Sequence, residues 1–438
     1  MPAATPVPRS PTLLAPYSAA DLLTGRGCPV CRYTSESSDR YLTWFALESH
    51  ADAVTVTRLC SSLGMCPRHT RGLMEQPGAA RRLTAVYRYL VRAASERLSS
   101  RGGRLGVCPA CEHDDRASGM ALEVLLEGLT GDGPVRDRYL ELGGLCIPHL
   151  RSAPVRGGQQ VWLAQAMKAA FGTSPVSPGW LAGIDRDAAA RVALRRAAAS
   201  ARGLSGLGMC AACHAAGQAE NDCLARIARG GGGLPDPRLV LCAGHLSDLV
   251  VSSGQRDAAS LLTWQAASLV AGLTGRPGAR RERNPGGPAG WLRRWRRAGS
   301  PGGCAVCQSV ADAARQTVGE LRAALRAAQP APGSQVPLCV RHLLDLRAAD
   351  PRAGQAAVPA AAERAGALIA ELDEAFGKGT WARRHEASGP ESTAWRRAAA
   401  FLDGNVFYGC PPRESRHGEV IGFRGPCPPA PAGRHPAR

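Results

Sequence analysis

The sequence predicts a mostly α-helical chain of four tandem zinc-pinned modules with disordered termini. Three observations predict it. A Cys-x-x-Cys pair followed at a distance by Cys-x-x-His occurs four times, and such recurrence marks a repeat architecture. Between and after the pairs, apolar residues recur at helical spacing. The composition is 45% hydrophobic but only 5% aromatic, so units of this size are short of core, and a structural metal is the usual remedy. Zinc bound in small domains contributes about 10–16 kcal/mol of apparent free energy, comparable to the whole stability of an ordinary domain.

The first copy holds Cys28, Cys31, Cys66 and His69, and the second Cys108, Cys111, Cys146 and His149. The third holds Cys210, Cys213, Cys242 and His245, and the fourth Cys304, Cys307, Cys339 and His342. Spacing inside a pair is fixed because one tight turn must aim both ligands at one ion. The interval between pairs is free to vary, and it runs 34, 34, 28 and 31 residues. Reading each copy as one three-thiolate, one-imidazole site gives four zinc ions per chain.

In order, residues 1–20 are Pro-punctuated and expected to be disordered. Module 1 spans 21–100. Tyr41, Leu42, Trp44, Phe45 and Leu47 predict a buried helix over 39–50, and Leu83, Val86, Tyr87, Leu90, Val91, Ala94 and Leu98 share one face of a long closing helix. Module 2 with a connecting helix spans 101–200, its closing helix carrying Leu163, Met167, Ala170 and Phe171 and the connecting helix covering 188–201. Module 3 spans 201–275. Its inner loop is shortened and holds Gly230–Gly233, which predicts a brief first helix, and its closing helix carries Leu262, Ala266, Leu269 and Leu273. A basic linker occupies 276–300. Module 4 spans 301–380, with Ala361, Ala365, Leu368 and Leu372 on its closing helix, and 381–438 reads as a disordered basic tail.

The order Cys-Pro-x-Cys, helix, Gly-Leu-Cys-x-x-His, long helix resembles an uncharacterised family of bacterial proteins, a domain of unknown function with repeated pairs of this kind. The resemblance covers roughly residues 22–380 and is closest at Cys108-Pro109-Ala110-Cys111 and Gly144-Leu145-Cys146-Ile147-Pro148-His149. Copy 1 keeps Cys28-Pro29-Val30-Cys31 and Gly64-Met65-Cys66. Copies 3 and 4 lose the proline, and Val240 and Pro337 replace the glycine. The resemblance implies no known activity.

The formal net charge is +18, which raises nucleic-acid binding as a function class. Much of it is local: residues 276–297 carry eight Arg against one Glu, and 381–438 carry nine Arg against five acids. Within the linker, Trp291, Arg293, Arg294, Trp295, Arg296 and Arg297 form a stretch suited to stacking on bases, clamping phosphates or lying on an anionic membrane surface. No signal-peptide pattern and no run of 18 apolar residues is present, so the expectation is a cytoplasmic chain whose thiols are held by metal. Cys60 and Cys223 read as small buried hydrophobes, and Cys410 and Cys427 fall in the tail.

No phosphate loop, nucleophile elbow or dinucleotide fingerprint is present. Cys210-Ala211-Ala212-Cys213-His214 spells a haem-attachment motif, but the repeat already accounts for its cysteines. Glu112, His113, Asp114 and Asp115 are the one grouped set of titratable residues beside a metal pair. Four protein ligands leave no position for a metal-bound water, so the reading is a non-enzymatic scaffold for a protein partner. Nucleic-acid binding through the linker and tail arginines, and an enzyme with its site in a groove between modules, are the alternatives; a metal or redox sensor whose ligand thiolates release zinc on oxidation ranks below them, because closed structural sites resist oxidation.

Overall fold

The computed structural model describes residues 18–25, 27–76, 79–100, 105–131, 133–142, 144–153, 163, 192, 210–229, 241–253, 304–327 and 337–404. The described residues form helices and connections, with no strand among them. The helices are α1 (Ala19–Leu22), α2 (Pro29–Leu47), α3 (Ala53–Ser62), α4 (Pro67–Met74), α5 (Ala79–Ser99), α6 (Pro109–Gly128), α7 (Pro134–Glu141) and α8 (Ile147–Ser152). After the undescribed stretch come α9 (Ala211–Arg229), α10 (Ala243–Ser253), α11 (Ala305–Ala327), α12 (Val340–Ala349), α13 (Pro351–Lys378) and α14 (Ala394–Leu402).

Each described helix that follows a metal pair starts inside that pair, because its first Cys ends the preceding extended chain. Cys28 and Cys108 stand at the N-caps of α2 and α6 with a proline next, where the missing N–H of proline costs nothing. Cys66, Cys146 and Cys339 cap α4, α8 and α12 in one shared extended conformation. In all eight pairs the first cysteine's carbonyl accepts from the amide four residues on, at 2.9–3.2 Å. That bond winds the pair into one turn and brings its two ligands to the same side.

The glycines of the Gly-x-Cys turns are needed for their backbone. Gly64 and Gly144 have φ of +99° and +83°, in the region that L side chains avoid, and each amide closes back on a helix carbonyl, Leu59 or Tyr139. Tyr139 adds its hydroxyl, which accepts from the Leu145 amide at 3.0 Å. Pro337 has no access to that conformation. Its carbonyl accepts instead from the Ala211 amide at 2.7 Å.

Two helix pairs organise the packing. α2 and α6 run antiparallel: Tyr41 stacks on His113 near the start of α6, with ring centroids 4.6 Å apart, while Cys31 near the start of α2 shares a core with Leu122 and Leu125 far along α6. α9 and α11 repeat the arrangement, Cys213 sharing a core with Val318, and Cys223 and Leu224 with Cys304 and Val306. The halves meet where α5 lies against α13 and α14. Leu83, Val86, Tyr87, Leu90, Val91, Ala94 and Leu98 are all buried there together with Leu368, Leu372, Trp395 and Phe401.

Polar bonds fix the register of that contact. Asp373 pairs with Arg88 and Arg92, and Arg347 donates to the carbonyls of Arg97 and Leu98 at the open end of α5. The half-exposed ion pairs contribute at most about 1 kcal/mol each, so the apolar stripe dominates the joint.

Several expectations are corrected. Module 3's first helix is not brief: α9 runs 19 residues, because the shortened interval removes chain after the helix rather than from it. The buried helix expected over 39–50 instead begins at Pro29 and ends at Leu47. The expected tail from 381 holds ordered chain to residue 404, where Trp395, Phe401 and Leu402 bury a face that the mixed Arg and Ala composition disguised. The N-terminal stretch 1–17, the closing helices of modules 2 and 3, the connecting helix over 188–201, the linker 276–300 with Trp291, Arg293, Arg294, Trp295, Arg296 and Arg297, and the tail beyond 404 lie outside the described residues, apart from the isolated positions 163 and 192.

Candidate metal centres

All sixteen predicted ligands fall into four clusters, but not in sequence order. Cys28 and Cys31 meet Cys146 and His149 in site I, and Cys66 and His69 meet Cys108 and Cys111 in site II. In the second half Cys210 and Cys213 meet Cys339 and His342 in site III, and Cys242 and His245 meet Cys304 and Cys307 in site IV. The four-ligand sets expected within each copy are therefore corrected: every site takes one pair from each of two neighbouring copies. The cause is the antiparallel pairing. α2 and α6 begin at opposite ends of their shared axis, so each start lies beside the Cys-x-x-His turn of the other copy. Site II is nested within the chain that site I closes, and site IV within that of site III.

The geometry is that of a tetrahedral cation cage. In site I the Nδ1 of His149 lies 3.4, 3.3 and 3.2 Å from Cys28, Cys31 and Cys146, and Cys31 Sγ is 3.5 Å from Cys146 Sγ. In site II, His69 Nδ1 lies 3.3, 3.6 and 3.5 Å from Cys66, Cys108 and Cys111, with Cys66 and Cys111 3.6 Å apart. His342 and His245 repeat the pattern at 3.2–3.4 Å, with Cys213–Cys339 and Cys242–Cys307 at 3.8 Å. A ring nitrogen has one proton or one lone pair and cannot bond three sulfurs at once. Ligands about 2.3 Å (sulfur) and 2.0 Å (nitrogen) from a central ion give sulfur–sulfur and sulfur–nitrogen edges of about 3.8 and 3.5 Å, close to those observed. Disulfides would need about 2.05 Å, and every cysteine among the described residues is a free thiol.

The donor set fits a borderline-soft cation of tetrahedral preference and does not suit calcium or magnesium, which take oxygen. Protons occupy the metal-free cages. Burial opposes ionisation of Cys28, yet hydrogen bonds from Cys146, Cys31 and His149 hold its thiol well below the usual range, while burial pushes Cys146 well above it. Hydrogen bonds within the cage likewise lower Cys108, Cys210 and Cys304 and raise Cys111, Cys213 and Cys307. Burial works to lower His69, but Asp114 and the thiols of Cys108 and Cys66 push it up to about 11; His149 rises to about 10 against the same burial, through Cys28 and Cys31. An arriving cation displaces these protons.

Two carboxylates absent from the predicted ligand set orient the imidazoles. Asp114 Oδ2 accepts from His69 Nε2 at 2.9 Å, and Glu220 Oε1 from His245 Nε2 at 3.0 Å. A carboxylate there fixes the tautomer that leaves Nδ1 free for the ion. Asp114 had a sequence signal, standing three residues after Cys111. Glu220 had none, because it reaches site IV from the middle of α9.

The grouped residues Glu112, His113, Asp114 and Asp115 separate. Glu112 pairs with Arg58, Asp115 is exposed, and buried His113 bonds Ser37 Oγ through Nε2 at 2.9 Å. No shared acid–base centre results.

No family model matches the chain, nor does any curated protein or any solved structure. No helix among the described residues is long and apolar enough to cross a membrane.

Proposed function

We propose that the protein is a non-enzymatic helical scaffold that binds four structural zinc ions and presents its outer helix faces to a protein partner. The closed donor set carries the reading. Each cage supplies three sulfurs and one nitrogen from the chain itself, so a bound zinc ion has no free position at which to activate water or polarise a substrate. Zinc is the tetrahedral cation that such a set suits best. Each ion ties helix starts from two copies, which is a structural task.

The partner surface has its support in side chains that the fold leaves outside. The end of α13 and the turn after it display Phe376 at 42% exposure and Trp381 at 77%. Arg88 lies over Phe376 at 4.2 Å and Arg384 over Trp381 at 3.2 Å. Aromatic and arginine side chains together are the residue types enriched where proteins meet.

Native mass spectrometry of the chain purified without chelator tests the reading, taken beside its absorbance ratio for nucleic acid. Four zinc ions and no bound nucleic acid is the expected outcome. Fewer than three zinc ions, or iron in their place, defeats the structural-zinc reading. Co-purifying nucleic acid whose affinity falls steeply with salt moves the function to the basic segments.

A further inference from the structure

We propose that the two inner cages are oxidation sites for hydroperoxides: Cys66 with Cys111, and Cys242 with Cys307, are converted to disulfides, releasing two of the four ions. The proposal rests on the metal-centre reading above and goes beyond it, because it divides the four cages into two kinds.

Exposure divides them. In the outer cages every sulfur belongs to a buried residue: Cys28 1%, Cys31 8% and Cys146 0% in site I, and Cys210 3%, Cys213 1% and Cys339 2% in site III. In the inner cages one cysteine is buried, Cys108 or Cys304, and two are half-buried. The half-buried pair is the same in both: the cysteine of Cys-x-x-His and the second cysteine of Cys-x-x-Cys. The outer cages have visible covers. α1 and its C-cap pack Leu22 and Leu23 into the core that holds Cys28 and Cys31. The chain leaving α14 lies on site III so closely that a Cβ on Gly404 would stand 2.9 Å from Cys213 Sγ.

The accessible pairs are also placed to react with one another. Cys66 and Cys111 sulfurs are 3.6 Å apart and Cys242 and Cys307 are 3.8 Å apart. Each pair needs less than about 2 Å of approach to reach bonding distance. Cys66 caps α4 and Cys111 lies in the first turn of α6, so the two sulfurs face each other from two helix starts.

The chemistry balances with a hydroperoxide as the oxidant. One thiolate attacks the O–O bond, an S–O bond forms, and the departing alkoxide or hydroxide takes a proton to become alcohol or water. The second thiolate attacks the sulfenic sulfur, the S–S bond forms, and hydroxide leaves as water with a second proton. Two electrons pass from the sulfur pair to the peroxide. The ion keeps one sulfur and one nitrogen of its four ligands and departs. The new disulfide joins the same two turns that the ion joined, and the outer cage still holds the ends, so the fold survives and a reductant restores the cage.

The experiment uses the full chain, first shown by native mass spectrometry to carry four ions; a lower count at that stage counts against the metal-centre reading alone. Hydrogen peroxide at a few equivalents is then added with a chromogenic zinc chelator, and disulfides are mapped after alkylation under denaturing conditions. The expected result is fast release of two ions, with the other two at least about tenfold slower, and Cys66–Cys111 and Cys242–Cys307 as the disulfides. Release of all four in one phase, no release, or disulfides at Cys31–Cys146 and Cys213–Cys339 forming at the same rate would overturn the proposal.

Discussion

Replacing Cys28 and Cys31 by serine leaves Cys146 and His149 as a two-ligand remnant, and the chain should retain three ions. Replacing Cys146 by serine and His149 by alanine empties the same cage and should also leave three. The decisive variant carries all four substitutions. With ligands shared across copies it still retains three ions; with each copy binding its own, it retains two. Coupling between cages does not blur the count. Site I closes the chain from residue 28 to 149, 122 residues, and an ion in site II shortcuts the stretch between 66 and 111, leaving 39 residues on each side. The closure term of (3/2)RT ln n changes by only about 0.4 kcal/mol, a factor of about two in affinity, against about 10–16 kcal/mol for a structural zinc ion. Native mass spectrometry at micromolar zinc reads the count, and two ions in the fourfold variant refutes the shared-ligand geometry.

Other expected outcomes can be checked alongside. Asp114→Ala should weaken site II about 10- to 100-fold in a chelator competition while sites I and III keep their affinity, and Glu220→Ala should do the same to site IV. Phe401→Ala, at a side chain 1% exposed, should cost about 3–5 kcal/mol in urea unfolding; no loss would place α14 off the core. Zinc added to the metal-free chain in weak buffer at pH 7 should release protons, because against burial His69 is raised to about 11 by Asp114 and its thiol neighbours and His149 to about 10 by Cys28 and Cys31, and both hold protons that the ion displaces. Apparent affinity should then fall as pH falls, by about tenfold per pH unit for each proton displaced. A pH-independent titration would contradict this. Asp373→Ala removes two ion pairs and should cost no more than about 2 kcal/mol, since the apolar face of α5 carries the joint.

The ligands were legible in the sequence because coordination chemistry imposes a local spacing: Cys and His three apart at a helix start is a pattern that survives any tertiary arrangement. Which pairs share an ion was not. That depends on α2 and α6 lying antiparallel, a long-range fact about two separated apolar stripes, and nothing near Cys28 distinguishes Cys66 from Cys146 as its partner. The helical stripe from Leu83 to Leu98 was legible for the same local reason as the ligands, whereas its use as the joint between halves was written in α13 and α14, some 270 residues away. Phe401 and Trp395 went unread because two aromatics amid Arg and Ala give a weak periodic signal, and burial, unlike periodicity, is a property of the neighbours. Glu220 was invisible for a related reason: a carboxylate in mid-helix looks solvated until another element brings a histidine to it.

The crossed ligand sets make two neighbouring copies the smallest unit that can hold an ion. One copy by itself, with Cys-x-x-Cys at the start of its long helix and Cys-x-x-His beyond that helix's far end, places its two ligand pairs in different cages; two copies side by side close both. Each half of the chain is therefore a clasp of two ions, α2 with α6 in the first and α9 with α11 in the second, and loss of either copy of a half would open both of its cages at once.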